Sequence, residues 1–482
     1  MISLKKTFLL FSFALLCYAS HAQEKWDLQK CIDYAISNNL DLRLSELSIE
    51  RNEATLQQSK HARYPDLNGF ANQNYNWGRS FDVYTNDAVT ARVRSNNFGL
   101  NSSVTLFNGF SIANTIKRDE MTLKASKADL KDSEYNLIMN IATFYLQIIF
   151  NLENLDIAQR QLENSNEQIT RTEKLVNAGV LPESNLLDLL SQRATDDLQV
   201  VNAENTLALS ILNLKQLLQL PASEEFEIEI PELPDPEEAP IIMESEDIFK
   251  ISESILPVVE SADLNIEASE LSIEIAKSNY YPTLTLSGGI NTFYSSAQQF
   301  RQQVIPGSFT ESSLGYFYND NGTTSPVYTV QPQFERIPFG FQDQLSESLR
   351  QSLGFTLRIP IYNKNQIKTG VSIAQINREQ ARVSAQRVRN QLRQDIETAR
   401  QNVLAASKTY NSNSKRVEAL RETYRVTNQR FSVGAVNSTE LTIARNNLVN
   451  AESDMLRSKY DFIFRSKLLD FLMGKPITFD GN

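Results

Sequence analysis

The chain has 482 residues, of which 41% are hydrophobic and 22% charged, and its formal net charge is -11. Because an acidic surface repels phosphate groups, this charge argues against nucleic acid or an anionic lipid surface as a partner. Beyond residue 22 no run reaches the roughly 18 consecutive apolar residues of a membrane-spanning helix, which excludes a helical membrane protein.

The first 22 residues have the pattern of a secretory signal peptide. Lys5 and Lys6 precede an apolar run over 7–18, and Ser20 and Ala22 are the small residues that signal cleavage requires. Removal of 1–22 takes away two lysines and no acid, so the mature chain is more acidic still, at a net charge of -13. The sequence therefore predicts an exported protein.

Glycine and proline, the residues that interrupt helices, are distributed unevenly. Neither occurs in 110–178, 183–220, 371–433 or 435–473. These gaps predict two helices over 111–176 and 366–431, each about 100 Å long at ~1.5 Å per residue. Shorter helices are predicted over 26–63, 182–220, 258–280 and 438–473.

The sequence repeats itself, and the offset between the copies changes once. The motif Tyr64-Pro65 recurs at Tyr281-Pro282, whereas the later landmarks recur at a larger offset that is the same for every pair. The second copy therefore carries an insertion, which we expect in a loop over 295–347. The later landmark pairs are Phe107 with Tyr362, Gly179 with Gly434, and Pro221 with Pro476.

Four segments alternate between apolar and polar residues, which is typical of β-strands: 67–77, 97–106, 283–294 and 352–361. A half-buried sheet in a soluble domain and a transmembrane barrel both fit this alternation. The residues that alternate with the apolar ones are mainly Gly, Ser, Thr and Asn, which could not fill a core. This favours the barrel. Aromatic residues near the strand ends suit a membrane girdle: Tyr75, Trp77, Phe107, Tyr281, Tyr294 and Tyr362.

A barrel in lipid must close, and four strands are too few, so several chains must share it. Two chains would give eight strands and three would give twelve, and a wide pore favours three. The fold class predicted is mainly α with β: a duplicated protomer that forms a long helical barrel and a twelve-stranded barrel as a trimer.

Nothing in the mature sequence supports catalysis or a bound cofactor. His61 and Cys31 are its single histidine and cysteine, too few for a His/Cys metal cluster or a catalytic triad. Cys31 falls on an apolar helix face and is predicted to be buried. The many carboxylates stand beside Arg and Lys on helix faces, as solvated ion pairs do. The protein is therefore not expected to be an enzyme.

The chain resembles the TolC-like outer-membrane efflux family over nearly its whole mature length. The resemblance rests on duplicated strand-to-helix junctions, VTLFNGFSIAN and FTLRIPIYNKNQI, and duplicated turns, LVNAGVLPESNLLDLL and RFSVGAVNSTELTIAR. It implies a homotrimeric exit duct of a tripartite efflux pump or type I secretion system, in the outer membrane of a Gram-negative bacterium and extending into the periplasm. The partners implied are outer-membrane lipid, a periplasmic adaptor protein and an inner-membrane transporter of the RND or ABC type.

The resemblance also implies the site residues. The two glycine turns become the periplasmic tips where the adaptor docks, through Gly179, Val180, Leu181, Val433, Gly434 and Val436. Family members close this end with a ring of carboxylates, and the matching positions here are Glu440 and Ile443, with Asp188 as a further acid from the first copy. Helix-turn packing for the apolar tip residues and helix N-terminal stabilisation for Glu440 stay open as alternatives.

The segments predicted on this basis follow the two copies. They are a signal peptide (1–22), helix (23–63), β-hairpin (64–109), helical hairpin (110–221), acidic equatorial linker (222–256), helix (257–280), β-hairpin with a long extracellular loop (281–363), helical hairpin (364–476) and tail (477–482). The linker could instead be solvated. The alternative function is a periplasmic coiled-coil scaffold or adaptor outside the membrane, against which the duplicated strands argue.

Overall fold

The computed structural model describes residues 25–81, 88–90, 92–231 and 243–477. The predicted signal peptide, part of the linker and the end of the tail lie outside these residues. The chain divides into two compact units. The helical unit comprises the described parts of Met1–Thr55, Arg118–Glu270 and Ile376–Asn482, and the sheet unit comprises those of Leu56–Lys117 and Leu271–Gln375.

Two long helical hairpins have the same dimensions. The first consists of α3 (Ser111–Asn177) and α4 (Glu183–Leu217), and the second of α8 (Gln366–Ser432) and α9 (Ser438–Leu472). The long helices have 67 residues each and the shorter ones 35. All four boundaries of the first hairpin recur in the second at one constant offset, so the helices predicted from the glycine and proline gaps are confirmed.

The shorter helices repeat as well, at the smaller offset that separates Tyr64 from Tyr281. Helices α1 (Leu28–Asn38) and α2 (Leu40–His61) have 11 and 22 residues, as do α5 (Ser245–Ile255) and α6 (Pro257–Ser278). The single helix predicted over 26–63 is thus divided at Asn39. Its Oδ1 accepts hydrogen bonds from the backbone N–H groups of Asp41 (2.9 Å) and Leu42 (3.1 Å), which caps the start of α2.

The described parts of the acidic linker bury a few apolar side chains and leave most of the acidic ones exposed. Helix α5 lies inside the range assigned to the linker and buries Ile248 and Phe249. Nearer the first copy, Ile228 forms a parallel bridge with Trp26 and is buried with Phe226 in the main core of the helical unit. These two stretches therefore pack against the core through their apolar side chains, while most of their acidic side chains stay in contact with solvent.

The sheet unit contains a four-stranded antiparallel sheet. Its strands are β1 (Asn68–Asn76), β4 (Val93–Phe107), β5 (Thr283–Ser295) and β8 (Arg350–Arg358), in the order β1-β4-β5-β8. All four predicted strands are confirmed, and the two copies meet where β4 pairs with β5. A short hairpin of β2 (Arg79–Phe81) and β3 (Ala88–Thr90) stands between β1 and β4 in the chain.

The loop expected over 295–347 contains regular structure. Strands β6 (Phe300–Tyr318) and β7 (Thr324–Pro338) form a long antiparallel hairpin, followed by helix α7 (Phe341–Glu347). Irregularities between Val304 and Phe309, and between Ser313 and Gly315, shift the pairing. They break the alternation that identifies the other strands in the sequence, so the hairpin resembles a loop there.

The core of the helical unit surrounds Ile141, Tyr145 and Ile148 of α3, with Cys31 fully buried beside them as predicted. The Tyr145 hydroxyl donates to the backbone oxygen of Glu229, which joins the start of the linker to α3. Among the described helices, none is both long and apolar enough to cross a bilayer.

Candidate functional site

The two hairpin turns have one backbone geometry. Gly179 and Gly434 both have φ of +73°, in the left-handed region where a side chain would be strained. In the first turn the Val180 N–H donates to the Leu175 oxygen, and in the second the Ala435 N–H donates to the Arg430 oxygen, both at 2.9 Å. These bonds satisfy carbonyl groups at the helix ends, so glycine is required in both turns for the same reason.

The predicted docking residues lie at the turns with unequal exposure. Val180 is 64% exposed and Val433 78% exposed, whereas Leu181 and Val436 are half-buried. Large apolar side chains this exposed do not serve helix-turn packing. The turns therefore present apolar surface that a partner could cover.

The structure joins the start of α9 to the start of α4 and places the predicted gate acids nearby. The Ser438 hydroxyl lies within hydrogen-bonding distance of Asn185 Oδ1 (3.3 Å) and Asp188 Oδ2 (3.2 Å). Glu440 lies in the first turn of α9, where its backbone N–H donates to the capping Asn437 side chain at 2.8 Å. Both Glu440 and Asp188 are exposed.

A buried polar cluster lies deeper in the helical unit, where the sequence predicted only solvated carboxylates. Arg445 of α9 is 2% exposed and Asp196 of α4 is 1% exposed. Arg445 Nη2 donates to Asp196 Oδ2 (2.8 Å), to Ser165 Oγ (2.7 Å) and to the backbone oxygen of Gln161 (2.9 Å). The Ser165 hydroxyl also donates to Asp196. The Arg445 guanidinium of the second copy thus forms hydrogen bonds to both helices of the first hairpin.

The expectation of solvated ion pairs is wrong for Asp196, because this carboxylate is buried and its partner, Arg445, lies 249 residues further along the chain. The internal repeat holds a signal for this cluster. Ser165 and Asp196 of the first copy correspond to Leu420 and Ala451 of the second, so a polar pair replaces an apolar pair.

The sheet has two chemically different faces, because residues paired across strands point to the same side. The apolar face carries Phe98, Leu100, Val104, Leu286, Ile290, Leu353, Phe355 and Leu357. The polar face carries Asn72, Asn74, Asn97, Asn101, Ser103, Ser287, Asn291 and Ser352, with Gly99, Gly289 and Gly354. Phe355 is 68% exposed, so much of the apolar face is uncovered within the chain. Near the ends of β4 and β5, helix α7 covers part of it by placing Phe341 against Phe98 and Tyr294.

The predicted girdle aromatics fall at the two ends of this sheet. Three lie near the end where β1 stops and β4 starts: Tyr75, Trp77 and Tyr294. Three lie near the opposite end: Phe107, Tyr281 and Tyr362. The structure thus separates them into two groups, one beyond each end of the apolar face.

Two arginines accompany the first group of aromatics and were not predicted as site residues. The Arg92 guanidinium carbon lies 4.8 Å from the ring centre of Tyr75 and 5.7 Å from that of Trp77. The Arg94 carbon lies 5.2 Å from the ring centre of Tyr294. Such distances are those of cation–π contacts. Among the described residues, no carboxylate forms a salt bridge with either arginine.

No group of three or more His, Cys, Asp or Glu side chains within the described ranges is arranged to hold a metal ion. The predicted site residues thus lie at two helix turns, in a pair of acids near them, and at the ends of a two-faced sheet.

Comparison with known proteins identifies the class to which this geometry belongs. Residues 31–219 and 256–475 match the family described as outer membrane efflux protein. The cation efflux system protein CusC of Escherichia coli K12 is 21% identical over 444 residues, which cover 89% of this chain and 82% of CusC. The chain belongs to the outer membrane efflux protein family and is an efflux channel of the outer membrane.

Solved structures show the same fold. A crystal structure of CusC superposes with a TM-score of 0.74 at 17% identity, covering 95% of this chain and 96% of that one. VceC of Vibrio cholerae gives a TM-score of 0.72 at 13% identity, covering 94% and 97%. The resemblance drawn from the duplicated motifs is therefore confirmed, and the alternative of a periplasmic scaffold or adaptor gains no support.

Proposed function

We propose that three copies of the chain close a twelve-stranded barrel in the outer membrane and a helical barrel in the periplasm. The observation that supports this most is the sheet with one apolar and one polar face, which are half-buried on β4 and β5 and exposed on β1 and β8, where the edges are unpaired within the described residues. Open strand edges are not tolerated in lipid, and four strands cannot close on themselves. Pairing β8 of one copy with β1 of the next satisfies both constraints.

In this assembly the apolar face contacts lipid and the polar face lines a water-filled pore. The two aromatic groups then lie at the two membrane interfaces, where Tyr and Trp are favoured. The chain conducts its cargo passively, and the partners select the substrate. The name of the relative CusC makes cations the first cargo to test.

The proposed periplasmic end consists of the two helix turns. Val180 and Val433 provide apolar contact for the hairpins of an adaptor protein, with Leu181 and Val436 beside them. The adaptor connects the duct to an inner-membrane transporter of the RND or ABC type, in an efflux pump or a type I secretion system. The identity of the transporter is tested by co-purification after crosslinking in cells.

The proposed gate is a ring of three Glu440 side chains, reinforced by Asp188. A single ring of carboxylates near the pore axis favours cations and offers a blocking site for multivalent ones. We expect Glu440→Ala to lower cation over anion permeability in planar bilayers and to relieve block by multivalent cations. Glu183→Ala, which removes an exposed acid from the first turn of α4, is the matched control. Unchanged selectivity in Glu440→Ala would exclude the gate role.

The membrane placement of the sheet is tested by a pair of adjacent substitutions. Phe355→Arg puts a charge on the apolar face, where a lipid contact makes it cost about 2–4 kcal/mol near the bilayer centre. Thr356→Arg puts the same charge on the polar face, where water solvates it. We expect Phe355→Arg to lose the heat-modifiable outer-membrane trimer and Thr356→Arg to keep it. If water contacted both faces of the sheet, the two variants should behave alike, since Phe355 is already exposed.

A further inference from the structure

The start of β4 carries a cationic and aromatic cluster that the duct function does not use. Arg92 lies over Tyr75 and Trp77, and Arg94 lies over Tyr294. A guanidinium that stacks on an aromatic ring keeps its N–H groups available at its edge. No carboxylate in the described ranges pairs with either arginine. Arg92 is exposed, so its N–H groups are available to an external anion, whereas Arg94 is half-buried and its Nε is enclosed.

The position of the cluster along the strand indicates which anion it meets. The apolar residues of β4 extend from Phe98 to Leu106, about 27 Å along the strand at ~3.4 Å per residue. At a strand tilt of about 40° this corresponds to ~21 Å along the membrane normal, close to the roughly 25 Å apolar band of outer-membrane barrels. Arg94 lies on the same face, two residues before Asn96 and ahead of Phe98, where the apolar band begins. At the same rise and tilt it is about 10 Å outside the band along the membrane normal. The headgroups of a bilayer occupy this level.

The direction of β4 indicates which leaflet these headgroups belong to. The strand ends at Phe107 and leads directly into α3, which starts at Ser111. In the proposed assembly α3 extends into the periplasm, so the end of the sheet that carries Arg94 faces the cell exterior. The cluster therefore meets the outer leaflet.

We propose that Arg92 and Arg94, held by Tyr75, Trp77 and Tyr294, bind the phosphate groups of an anionic glycolipid in the outer leaflet. Guanidinium binds phosphate oxygens in a bidentate manner, and Tyr and Trp rings are favoured at the membrane interface. The mature chain as a whole repels anions at its predicted net charge of -13, so attraction must come from this local cluster. This inference rests on the proposed placement of the sheet in the outer membrane.

The polar face provides a matched control for the two cations. Arg350 and Arg358 are exposed residues of β8 that pair with Asn291 and Thr283 of β5, which places them on that face. A double substitution there removes the same charge from the same sheet. Any difference between the two double variants therefore reports position rather than net charge.

The test uses the purified full-length protein in a neutral detergent, titrated with a diphosphorylated glycolipid or with its dephosphorylated form. Trp77 reports binding through its fluorescence, because it is 72% exposed and is one of only two tryptophans. We expect the phosphorylated lipid to bind at least tenfold more tightly than the dephosphorylated one. Arg92→Gln/Arg94→Gln should weaken that binding by roughly 30-fold, since each arginine near an anionic surface contributes on the order of a fivefold gain. Arg350→Gln/Arg358→Gln should leave it unchanged, and Arg92→Lys/Arg94→Lys should restore part of it.

Three results would overturn the inference. Equal loss in both double Gln variants would show a bulk charge effect, and equal affinity for both lipids would show that phosphate is not recognised. Binding of inorganic phosphate with the same affinity would show an anion site without a lipid. Each variant is also assayed for the heat-modifiable trimer. If the wild-type chain forms no membrane-inserted trimer, the proposed function fails; if it forms one without lipid selectivity, only the phosphate site fails.

Discussion

The two helical hairpins share a backbone but differ in what they bury. Both have helices of 67 and 35 residues joined by a glycine with φ of +73°. The second hairpin packs Val417, Leu448 and Ala451 in an apolar cluster, with Leu420 beside them. The first hairpin has Ser165 and Asp196 at the positions of Leu420 and Ala451, and it receives Arg445 from α9.

The duplicated hairpins thus have the same backbone geometry, but their different buried side chains prevent one from replacing the other. An apolar cluster would pack against any apolar surface of suitable shape. A buried carboxylate that needs one guanidinium accepts only the helix that provides it, so the polar cluster specifies which helix lies there. The cluster thus orients the second copy against the first within the helical unit.

Removal of the buried carboxylate should have the largest effect. Asp196→Ala leaves the Arg445 charge buried without its partner, and we expect the free energy of unfolding to fall by about 3–5 kcal/mol. Chemical denaturation of the purified protein measures the change. The adjacent exposed residue provides the control, because Asp197→Ala should change stability by less than about 0.5 kcal/mol.

A second variant separates pairing from packing. Asp196→Ala/Arg445→Met removes both charges, so it should recover much of the lost stability, as replaced buried ion pairs often do. If the double variant were no more stable than Asp196→Ala, the cost would come from lost packing instead of an unpaired charge.

The apolar cluster should show the next largest effect, and only in the second hairpin. Leu448→Ala opens a cavity beside Val417 and Ala451, which should cost about 2–4 kcal/mol. Arg193 occupies the equivalent position of the first hairpin and is exposed, so Arg193→Ala should cost less than about 0.5 kcal/mol. Denaturation curves of the two variants test the contrast, and similar losses would mean that the two hairpins have equivalent cores.

The two hairpin turns should be destabilised equally when their glycines are replaced. Gly179→Ala and Gly434→Ala each force a side chain into the left-handed region, which should cost about 1–2 kcal/mol. Open space surrounds both positions, so the cost comes from the backbone alone. Gly370→Ala, inside α8, should be neutral or slightly stabilising. Thermal unfolding compares the three variants.

Bulky residues at the turns should also affect transport. Gly179→Val and Gly434→Val should abolish export while the trimer still assembles, because they distort the surface that we propose for adaptor docking. Normal export by both variants would count against docking at the turns.

The smallest effect concerns Cys31 of the first copy, which corresponds to the fully buried Ile248 of the second copy. Burial raises the pKa of the Cys31 thiol to about 12, from 9.0. The unfolded thiol therefore ionises as the pH passes about 9 while the folded one stays protonated, so this group's contribution to stability is lost as the pH rises further. Denaturation at pH 8 and pH 10.5 should show a smaller decline in Cys31→Ala than in the wild-type chain. An equal decline would mean that other groups account for it.

The parts predictable from sequence are those with a periodic or repeated signal. The helix boundaries at Ser111 and Gln366 follow from glycine and proline gaps that recur in both copies. The four strands of the main sheet follow from alternation, because each has one apolar and one polar face. The turn glycines follow from the backbone conformation that a helix reversal demands.

The parts that could not be predicted depend on contacts between distant residues. Asp196 has Arg193 beside it in sequence, yet its partner is Arg445 on another helix. The β6–β7 hairpin has irregular pairing that removes its alternation. The cluster around Arg94 requires the register that sets Tyr75 opposite it across β1 and β4. The roles of the tips and of Glu440 stay predictions.

The equal lengths of the two hairpins constrain how such a gene can change. A one-turn insertion in α3 alone would move its tip about 5 Å beyond that of α8. The proposed docking surface would then be uneven, and Ser438 could no longer reach Asp188. A longer or shorter duct therefore requires matched insertions in four helices of one chain. Length is consequently the property of this protein that single mutational steps can change least, whereas the side chains of each copy are free to diverge.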